Sequence, residues 1–257
     1  MKHITSRDNP LFRELKKLAA SSRQRRKSGQ VMLDGVHLLQ ALLASGGKPQ
    51  RLVVTQAGLE DAEISVLLQQ LPDVPLGCFD DSLFEEISEL KTPTGILTLI
   101  PQPQPANPIA HSHFCLLLED IQDPGNLGSM IRTAAAAGCD AVFLSKGCVD
   151  AWSPKVLRGG MGGHFVLDIH EPADLPKVAE AFSGEMYAAS LQATRSLYEC
   201  DLRGAIAFAI GNEGAGLSEE LRHVTHPIII PMSGKVESLN AAAAAAVCLF
   251  EAGRQRK

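Results

Sequence analysis

The sequence is poor in aromatic side chains and contains no long apolar run. Phe, Tyr and Trp together make up 5% of its 257 residues, so stacking of nucleic-acid bases on aromatic platforms is not its main theme. The longest apolar run covers residues 241–250, well short of the roughly 20 residues that span a bilayer. The first eight residues lack the apolar segment of a secretory signal. We therefore expect a cytoplasmic protein without a membrane partner.

Cysteine and histidine do not occur in the patterns that bind metals. The six cysteines are scattered without a Cys-x-x-Cys pair, and several lie inside apolar runs. Such cysteines are typical of buried thiols in a reducing compartment rather than of disulfides or a zinc site. His111 and His113 form a close histidine pair, which we interpret as structural or solvent-facing. We expect no bound metal.

The formal net charge of −5 is distributed unevenly along the chain. The first 30 residues hold nine basic residues against two acidic ones, whereas the rest of the chain holds 15 against 27. A basic segment on an acidic body is expected where that segment contacts a polyanion such as RNA. A solvated basic helix that binds nothing is equally compatible with the charge alone.

Four prolines between Pro101 and Pro108 mark a break in the chain. Such a stretch favours extended backbone and ends regular structure. We therefore divide the sequence into a first domain at residues 1–100, a linker at 101–110 and a second domain at 111–257. The first domain is predicted to be a small α/β module, because apolar residues recur at helical spacing from Leu11 to Leu18. A second helix is predicted over 36–43 and a strand over 51–55.

The second domain alternates between segments of strand and of helix character. The predicted strands lie at 114–118, 141–144, 164–169, 186–190, 205–210 and 228–231. The predicted helices lie at 127–137, 153–158, 174–182, 219–224 and 238–251. This alternation predicts an α/β fold with a mostly parallel sheet and helices on both faces. In such sheets, ligand sites lie at the carboxyl ends of the strands.

Two of the predicted strands end in loops rich in Gly, Asn and small polar residues. In the loop after the first strand, Asn126 is a candidate N-cap of the next helix, and Arg132 lies within that helix. In the loop after the fifth strand, three glycines in six positions let backbone N–H groups approach a ligand closely. Glu213 sits inside that glycine run and would repel a phosphate, which favours a cationic or hydroxyl-bearing ligand. Either loop taken singly is also compatible with an ordinary strand-to-helix turn.

A third loop, residues 230–240, runs into a helix of six consecutive alanines. So small a helix face permits close approach of another backbone segment. A tightly packed core helix explains the alanines, but it does not explain why Ser238, Leu239 and Asn240 stand at its head. Each loop alone is a weak signal, and the joint presence, order and spacing of the three is a strong one.

Together, these three loops resemble the signature motifs of the SpoU family, RNA ribose 2′-O-methyltransferases of the knotted SPOUT superfamily. The residues that carry the resemblance are Asn126 with Arg132, Gly211-Asn212-Glu213-Gly214, Ile230-Pro231-Met232, and Ser238-Leu239-Asn240. The resemblance implies a C-terminal α/β trefoil-knot domain that binds S-adenosyl-L-methionine, and a homodimer whose active site draws on both subunits. It also implies that the N-terminal module is a small α/β RNA-binding domain.

The resemblance further implies roles for ten residues of this sequence. The expected cofactor-binding residues are Leu191, Gly211, Ile230, Met232 and Leu239. The expected catalytic residues are Asn126, Arg132, Glu213, Ser238 and Asn240. The sequence departs from the family where Gly160 stands in place of a frequent Ser, which could alter an RNA-facing surface. It also has alanines after Asn240 where Val-Ser is common, which we interpret as helix packing.

The implied function is methyl transfer to a ribose 2′-hydroxyl of RNA, with ribosomal RNA favoured. A transfer-RNA 2′-O-methyltransferase is one alternative, and a catalytically silent RNA-binding protein on the same scaffold is another. A nucleotide-binding enzyme of the Rossmann type ranks last, because the sequence has neither the dinucleotide fingerprint nor a P-loop.

Overall fold

The computed structural model of the chain describes residues 2–106 and 112–257. The described residues do not include 107–110 of the predicted linker. They also do not include His111 of the histidine pair. The chain forms two compact units. The first contains residues 2–103 with residues 152–165, and the second contains residues 104–106, 112–151 and 166–257. The segment 152–165 thus groups with the N-terminal part of the chain, while the domain boundaries at 100 and 111 stay predictions.

The described residues form eleven strands and eleven α-helices. The strands are β1 (Lys2–Ile4), β2 (Gln30–Asp34), β3 (Arg51–Val54), β4 (Leu76–Phe79), β5 (Ile96–Pro101), β6 (Phe114–Leu118), β7 (Ala141–Leu144), β8 (Asp168–His170), β9 (Glu185–Ala189), β10 (Ile206–Ile210) and β11 (His226–Ile228). The helices are α1 (Pro10–Ala20), α2 (Ser22–Ser28), α3 (Val36–Ala44), α4 (Gln56–Glu60), α5 (Ala62–Gln69), α6 (Asp81–Glu85), α7 (Pro124–Ala137), α8 (Pro154–Gly160), α9 (Leu175–Ala181), α10 (Glu219–His223) and α11 (Ala241–Gln255).

The first unit is built on a five-stranded sheet of order β1-β4-β3-β5-β2, in which β5 runs antiparallel to both of its neighbours. Helix α1 begins at Pro10, and the Asn9 side chain caps it by accepting from the backbone N–H of Leu11 at 2.9 Å. Its apolar face is buried in the core of this unit. The predicted helices at 11–18 and 36–43 and the strand at 51–55 are confirmed as α1, α3 and β3.

The basic residues of the first 30 positions do not form one uniform surface. Arg25 is buried, and its guanidinium donates to the carbonyl oxygens of Leu18 and Ala19, so it joins α2 to α1. Arg7 and Lys16 both contact the Glu86 carboxylate, and their hydrogen bonds lower the pKa of that group. Five further bases are exposed on α1 and α2. Arg13 contacts the Asp8 carboxylate, and the other four are Lys17, Arg23, Arg26 and Lys27.

In the segment 152–165, the helix predicted at 153–158 is confirmed as α8, but the strand predicted to follow it begins later than expected. The strand predicted at 164–169 corresponds to β8, but its predicted start is wrong: residues 163–165 form a short 3-10 helix, and β8 begins only at Asp168. The reason is that His164 is buried and packs against Trp152, with ring centroids 5.3 Å apart. A Cβ atom at Gly160 would lie 2.4 Å from the His164 ring, so the glycine makes room for this imidazole. Gly160 is itself buried, so it does not form part of the exposed surface.

The second unit is a six-stranded sheet of order β11-β9-β10-β6-β7-β8, and all its described pairings are parallel. The parallel α/β prediction is therefore confirmed. The central strands β6 and β10 are buried along their whole length, as expected for strands covered on both faces. Helix α11 packs against α7 and β10. No helix in the described ranges is long and apolar enough to cross a membrane.

Two element boundaries near the third loop also differ from prediction. The strand predicted at 228–231 is β11, which ends at Ile228, and the helix predicted at 238–251 begins at Ala241. Residues 229–240 are thus nearly all outside regular structure. This leaves Ile230, Met232, Ser238 and Leu239 on an irregular segment that can follow the surface of a ligand.

Candidate active site

The predicted site residues converge because of the order of the strands. Strand β10 lies between β9 and β6, and all three run in parallel, so their carboxyl ends meet at one edge of the sheet. The loop after β9 carries Leu191, the loop after β10 carries Gly211 and Glu213, and α7 begins shortly after β6. The segment after β11 returns to this edge, since β11 pairs with β9.

A chain of side-chain hydrogen bonds joins three of the five predicted catalytic residues. The Nδ2 group of Asn240 donates to Oδ1 of Asn126 at 3.1 Å. The Nδ2 group of Asn126 in turn donates to Oε1 of Glu213. Asn240 is also the N-cap of α11, because its Oδ1 accepts from the backbone N–H groups of Ala242 and Ala243 at 2.9 and 3.2 Å. The start of α11 is therefore held against the loop after β10 through Asn126.

The role of Asn126 differs from the one expected from sequence. It was expected to cap α7, but the N-cap is Asp123, whose carboxylate accepts from the backbone N–H of Asn126 at 2.7 Å. Because Asp123 takes over the capping, the Asn126 side chain is free to bridge Asn240 and Glu213. Pro124 occupies the first position of the helix, where a missing N–H carries no cost.

A cleft of about 700 Å³ opens beside this hydrogen-bond chain. All five predicted cofactor residues line it, namely Leu191, Gly211, Ile230, Met232 and Leu239. Glu213 and Ser238 from the predicted catalytic set line it as well. The structure thus brings seven of the ten predicted residues to one cleft and links Asn126 and Asn240 to it through Glu213.

Arg132 is the predicted site residue that stands apart. It is exposed on α7, and its side chain makes no hydrogen bond or ion pair with the described residues. Six helical positions separate it from Asn126, so the two side chains do not share a face of α7. Within one chain, the geometry therefore does not join Arg132 to the Glu213 side of the site.

Gly211 is required by the close packing of its own loop. A Cβ atom there would lie 2.3 Å from the backbone carbon and oxygen of Gly216. Asn212, which the site prediction omitted, folds the intervening residues: its Oδ1 accepts from the N–H groups of Gly214 and Ala215 at 2.9 and 3.1 Å. The signal for this role was present, since Asn between glycines is typical of a side chain that bonds its own turn.

The described residues contain no group of three or more His, Cys, Asp or Glu side chains placed to hold a metal ion. The polar groups that line the cleft come instead from the backbone, the Ser190 and Ser238 hydroxyls, the Asn212 amide and the Glu213 carboxylate. Its remaining walls are largely apolar, as in sites that bind an organic cofactor.

Two family models match the chain. The SpoU rRNA Methylase family model matches residues 113–250, more than half of the chain. The MRM3-like substrate binding domain model matches residues 9–98. The first match covers every residue of the cleft, and the second covers most of the N-terminal sheet.

Known proteins resemble the chain over nearly its whole length. An uncharacterised tRNA/rRNA methyltransferase of Synechocystis is 35% identical over 98% of this chain and 94% of that protein. The 23S rRNA (guanosine(2553)-2′-O)-methyltransferase RlmP of Bacillus subtilis is 32% identical over 97% of this chain and 98% of that protein. The AdoMet-bound crystal structure of an rRNA methyltransferase from Sinorhizobium meliloti has a TM-score of 0.84 at 26% identity, covering 98% of this chain and 97% of that one.

The two functions of the Asn240 side chain can be separated by substitution. Asn240→Ala removes both the cap and the bond to Asn126, and we expect it to lower the free energy of unfolding by about 1 kcal/mol. Asn240→Asp keeps a capping oxygen but loses the amide donor, so we expect stability close to that of the original chain. Denaturant unfolding of the two variants measures the difference. An equal loss of stability in both would show that the cap is not what Asn240 contributes to α11.

Proposed function

The chain belongs to the SpoU rRNA methylase family, and we propose that it transfers a methyl group from S-adenosyl-L-methionine to a ribose 2′-hydroxyl of ribosomal RNA. The observation that carries this proposal is the cleft where Gly211, Ile230, Met232 and Leu239 meet beside the Glu213–Asn126–Asn240 chain. Membership of this family removes the Rossmann alternative. The curated relatives are named as methyltransferases, which favours an enzyme over a catalytically silent binding protein.

The cleft residues fit S-adenosyl-L-methionine, which supplies a methyl group on a positively charged sulfur. The tight packing of Gly211 on Gly216 leaves backbone groups at the cleft wall for the edge of an adenine ring. Ile230 and Leu239 provide apolar surface for its faces. Glu213 places a carboxylate, rather than a phosphate-binding group, at the cleft, which suits a cationic ligand.

The hydrogen-bond chain fixes how Glu213 is presented. The Asn240 oxygen is used by the first turn of α11, so its amide N–H₂ must face the Asn126 oxygen. The Asn126 N–H₂ is then directed at the Glu213 carboxylate, which acts as an acceptor. We propose that this orients Glu213 toward the reacting groups, while Ser238 holds the loop at the cleft mouth.

For Arg132 we propose a role in binding the RNA rather than in accepting a proton. A guanidinium keeps its proton at neutral pH and is a poor general base. Its forked donors match a phosphate, and its charge would stabilise the developing ribose alkoxide. Because Arg132 has no partner among the described residues of its own chain, it is available to a substrate or to a second subunit.

We also propose the features that the resemblance implied and that one chain does not test. A homodimer is supported by the outer face of α11, where Phe250 keeps 54% of its surface exposed. A trefoil knot is supported by the path of residues 211–240, which lead from the central strand β10 to a helix packed on α7.

A reducing cytoplasm is supported by the six cysteines, which are all described and form no disulfide. Burial raises the pKa of Cys115 to about 12, which keeps it an unreactive thiol.

The N-terminal unit is proposed to bind RNA phosphates through the exposed bases of α1 and α2. Lys17, Arg23 and Lys27 would contribute affinity but little sequence information. Ribosomal RNA is favoured over transfer RNA because the curated 2′-O-methyltransferase relative is named for 23S rRNA. Arg25 is excluded from this surface by its burial.

The cofactor role of the cleft predicts different effects on cofactor affinity when either of two nearby glycines is replaced by alanine. Gly211→Ala forces a methyl group against the Gly216 backbone, so we expect S-adenosyl-L-methionine affinity to fall at least tenfold. Gly214→Ala is the matched control, because a Cβ atom there would meet only the Asn212 Oδ1 atom at 3.5 Å. Calorimetric titration of both variants makes the comparison. Similar affinities for the two would place the cofactor elsewhere.

The proposed role of Arg132 predicts that charge alone is insufficient. Arg132→Lys keeps the charge but loses the forked contact, and we expect the single-turnover methylation rate to fall by about 10- to 100-fold. Cofactor affinity should stay unchanged. Arg203→Lys serves as the control, because Arg203 also makes a forked contact, with Asp201, on the surface of the same unit. A rate for Arg132→Lys equal to that of the original chain would rule this role out.

RNA binding by the basic helices predicts a change in salt dependence. We expect the triple variant Lys17→Ala, Arg23→Ala, Lys27→Ala to reduce the slope of log affinity against log salt by about 2. The control triple variant Lys177→Ala, Arg203→Ala, Arg254→Ala removes the same charge from the second unit and should leave the slope unchanged. Deletion of residues 1–100 is a poorer test, because residues 152–165 pack in the same unit. Equal slopes for the two triple variants would argue against this surface.

A further inference from the structure

Three polar residues follow three neighbouring strands behind the candidate cofactor cleft. Asp120, Ser145 and Asn212 come after β6, β7 and β10, which are adjacent in the order β10-β6-β7. None of the three belongs to the predicted catalytic or cofactor-binding sets. Their hydrogen bonds form a continuous connection from the loop after β7 to the loop that carries Glu213.

Asp120 is held in an unusual backbone conformation. Its φ is +55°, a left-handed value that side chains other than Gly and, to a lesser degree, Asn and Asp rarely adopt. The Ser145 hydroxyl holds it on two sides: it accepts from the Asp120 backbone N–H at 3.0 Å and donates to the Asp120 carboxylate at 2.7 Å. Gly147 leaves room for that carboxylate, since a Cβ atom there would lie 1.9 Å from Oδ1 of Asp120.

The backbone carbonyl of Asp120 is bound by Asn212. The Asn212 Nδ2 group donates to this oxygen at 3.0 Å, while Asn212 Oδ1 accepts from two backbone N–H groups of its own loop. The far end of the same loop is fixed separately, because the Glu119 carboxylate accepts from the Ser218 N–H at 2.7 Å. Between these two anchors lie Glu213 and Gly216, which both line the cleft.

We propose that Asp120 is a positioning residue for the methyl-transfer site, acting through its left-handed backbone. With Ser145 holding that conformation, the Asp120 carbonyl binds Asn212 and sets the position of the loop 211–216. The cleft wall at Gly211 and the carboxylate of Glu213 then depend on a residue that touches neither cofactor nor substrate. This inference rests on the proposed function, because the quantity that it predicts is use of S-adenosyl-L-methionine.

A series of substitutions at Asp120 separates backbone conformation from side-chain chemistry. We expect Asp120→Ala to raise the KM for S-adenosyl-L-methionine about tenfold, because alanine disfavours the left-handed conformation. Asp120→Gly adopts it freely, and Asp120→Asn tolerates it and keeps an acceptor for Ser145, so both should stay within about threefold of the original KM. A residue needed only for stability would instead lower the melting temperature of Asp120→Ala without changing its KM, and that result would overturn the proposal.

A double-mutant cycle tests whether the effect passes through Asn212. Asn212→Asp keeps the acceptor for the loop N–H groups but loses the donor to the Asp120 carbonyl, and we expect its KM to rise by about two- to tenfold. If the two residues act through one bond, the Asp120→Ala, Asn212→Asp double variant is no worse than the poorer single variant within about twofold. If the rise in KM of the double variant equals the product of the two single rises, the residues act independently, and this would contradict the proposal.

Controls distinguish this inference from the proposed function itself. Lys177→Ala, in an exposed ion pair with Asp174 on α9, should leave KM and melting temperature unchanged. If the original full-length chain binds no S-adenosyl-L-methionine by calorimetry, the proposed function fails. If it binds the cofactor but the KM of Asp120→Ala is no higher than that of Asp120→Gly, only the positioning role fails.

Discussion

The candidate site depends on one side chain that forms hydrogen bonds in two directions. Asn240 caps α11 with its oxygen and binds Asn126 with its nitrogen, and Asn126 then holds Glu213. Asn240 and Asn126 are 114 positions apart in sequence, and Asn126 and Glu213 are 87 apart. A side-chain amide is suited to this because it carries an acceptor oxygen and a donor N–H₂ group on one planar unit. The start of α11 is therefore joined to Asn126 on α7 and, through Asn126, to the loop after β10.

The cleft is a consequence of parallel strand order combined with close backbone packing. Because β10 lies between β9 and β6, the loops that follow these strands must share one edge of the sheet. Gly211 then packs on Gly216 at a distance that excludes any side chain, and this exposes backbone groups to the cleft. Because Asp123 caps α7, the Asn126 side chain is not needed as the cap and can bond Asn240 and Glu213. The Asp123 cap, the Asn240 cap and the contact of Gly211 with Gly216 thus bring three strand-to-helix loops together at one cleft.

Much of the fold and most of the cleft could be predicted from the sequence, for a definite physical reason. Apolar runs of strand length, alternating with helical segments, specify a parallel sheet, and a parallel sheet gathers its carboxyl-end loops. The resemblance to the SpoU family indicates Leu191, Gly211, Ile230, Met232 and Leu239, and the parallel strand order explains why these five residues line one cleft. The features that could not be predicted depend on contacts between distant residues. The apolar character around His164 suggested a strand, but its ring packs on Trp152, and the charge of Arg25 suggested a surface where the side chain is in fact buried.

The sequence alone likewise does not show which residue caps α7. Asp123 and Asn126 are both good N-cap residues, and only the path of the backbone decides between them. The hydrogen bonds among Asn212, Asp120 and Ser145 join the loops after three different strands, so no local sequence pattern reveals them. Arg132 remains separated from Glu213 within one chain, which is the arrangement expected if the complete site needs an RNA or a second subunit.

The most direct test of the account is to find where the full-length chain places a methyl group on RNA. Ribosomal RNA would be incubated with the protein and S-adenosyl-L-methionine labelled in its methyl group, and then hydrolysed in alkali. A methylated 2′-oxygen cannot attack the neighbouring phosphate, so the account predicts that the label is recovered in alkali-resistant dinucleotides. Label recovered in single nucleotides would show methylation of a base, and no label above that of an Asn126→Ala, Glu213→Ala control would show no transfer; either result would contradict the account.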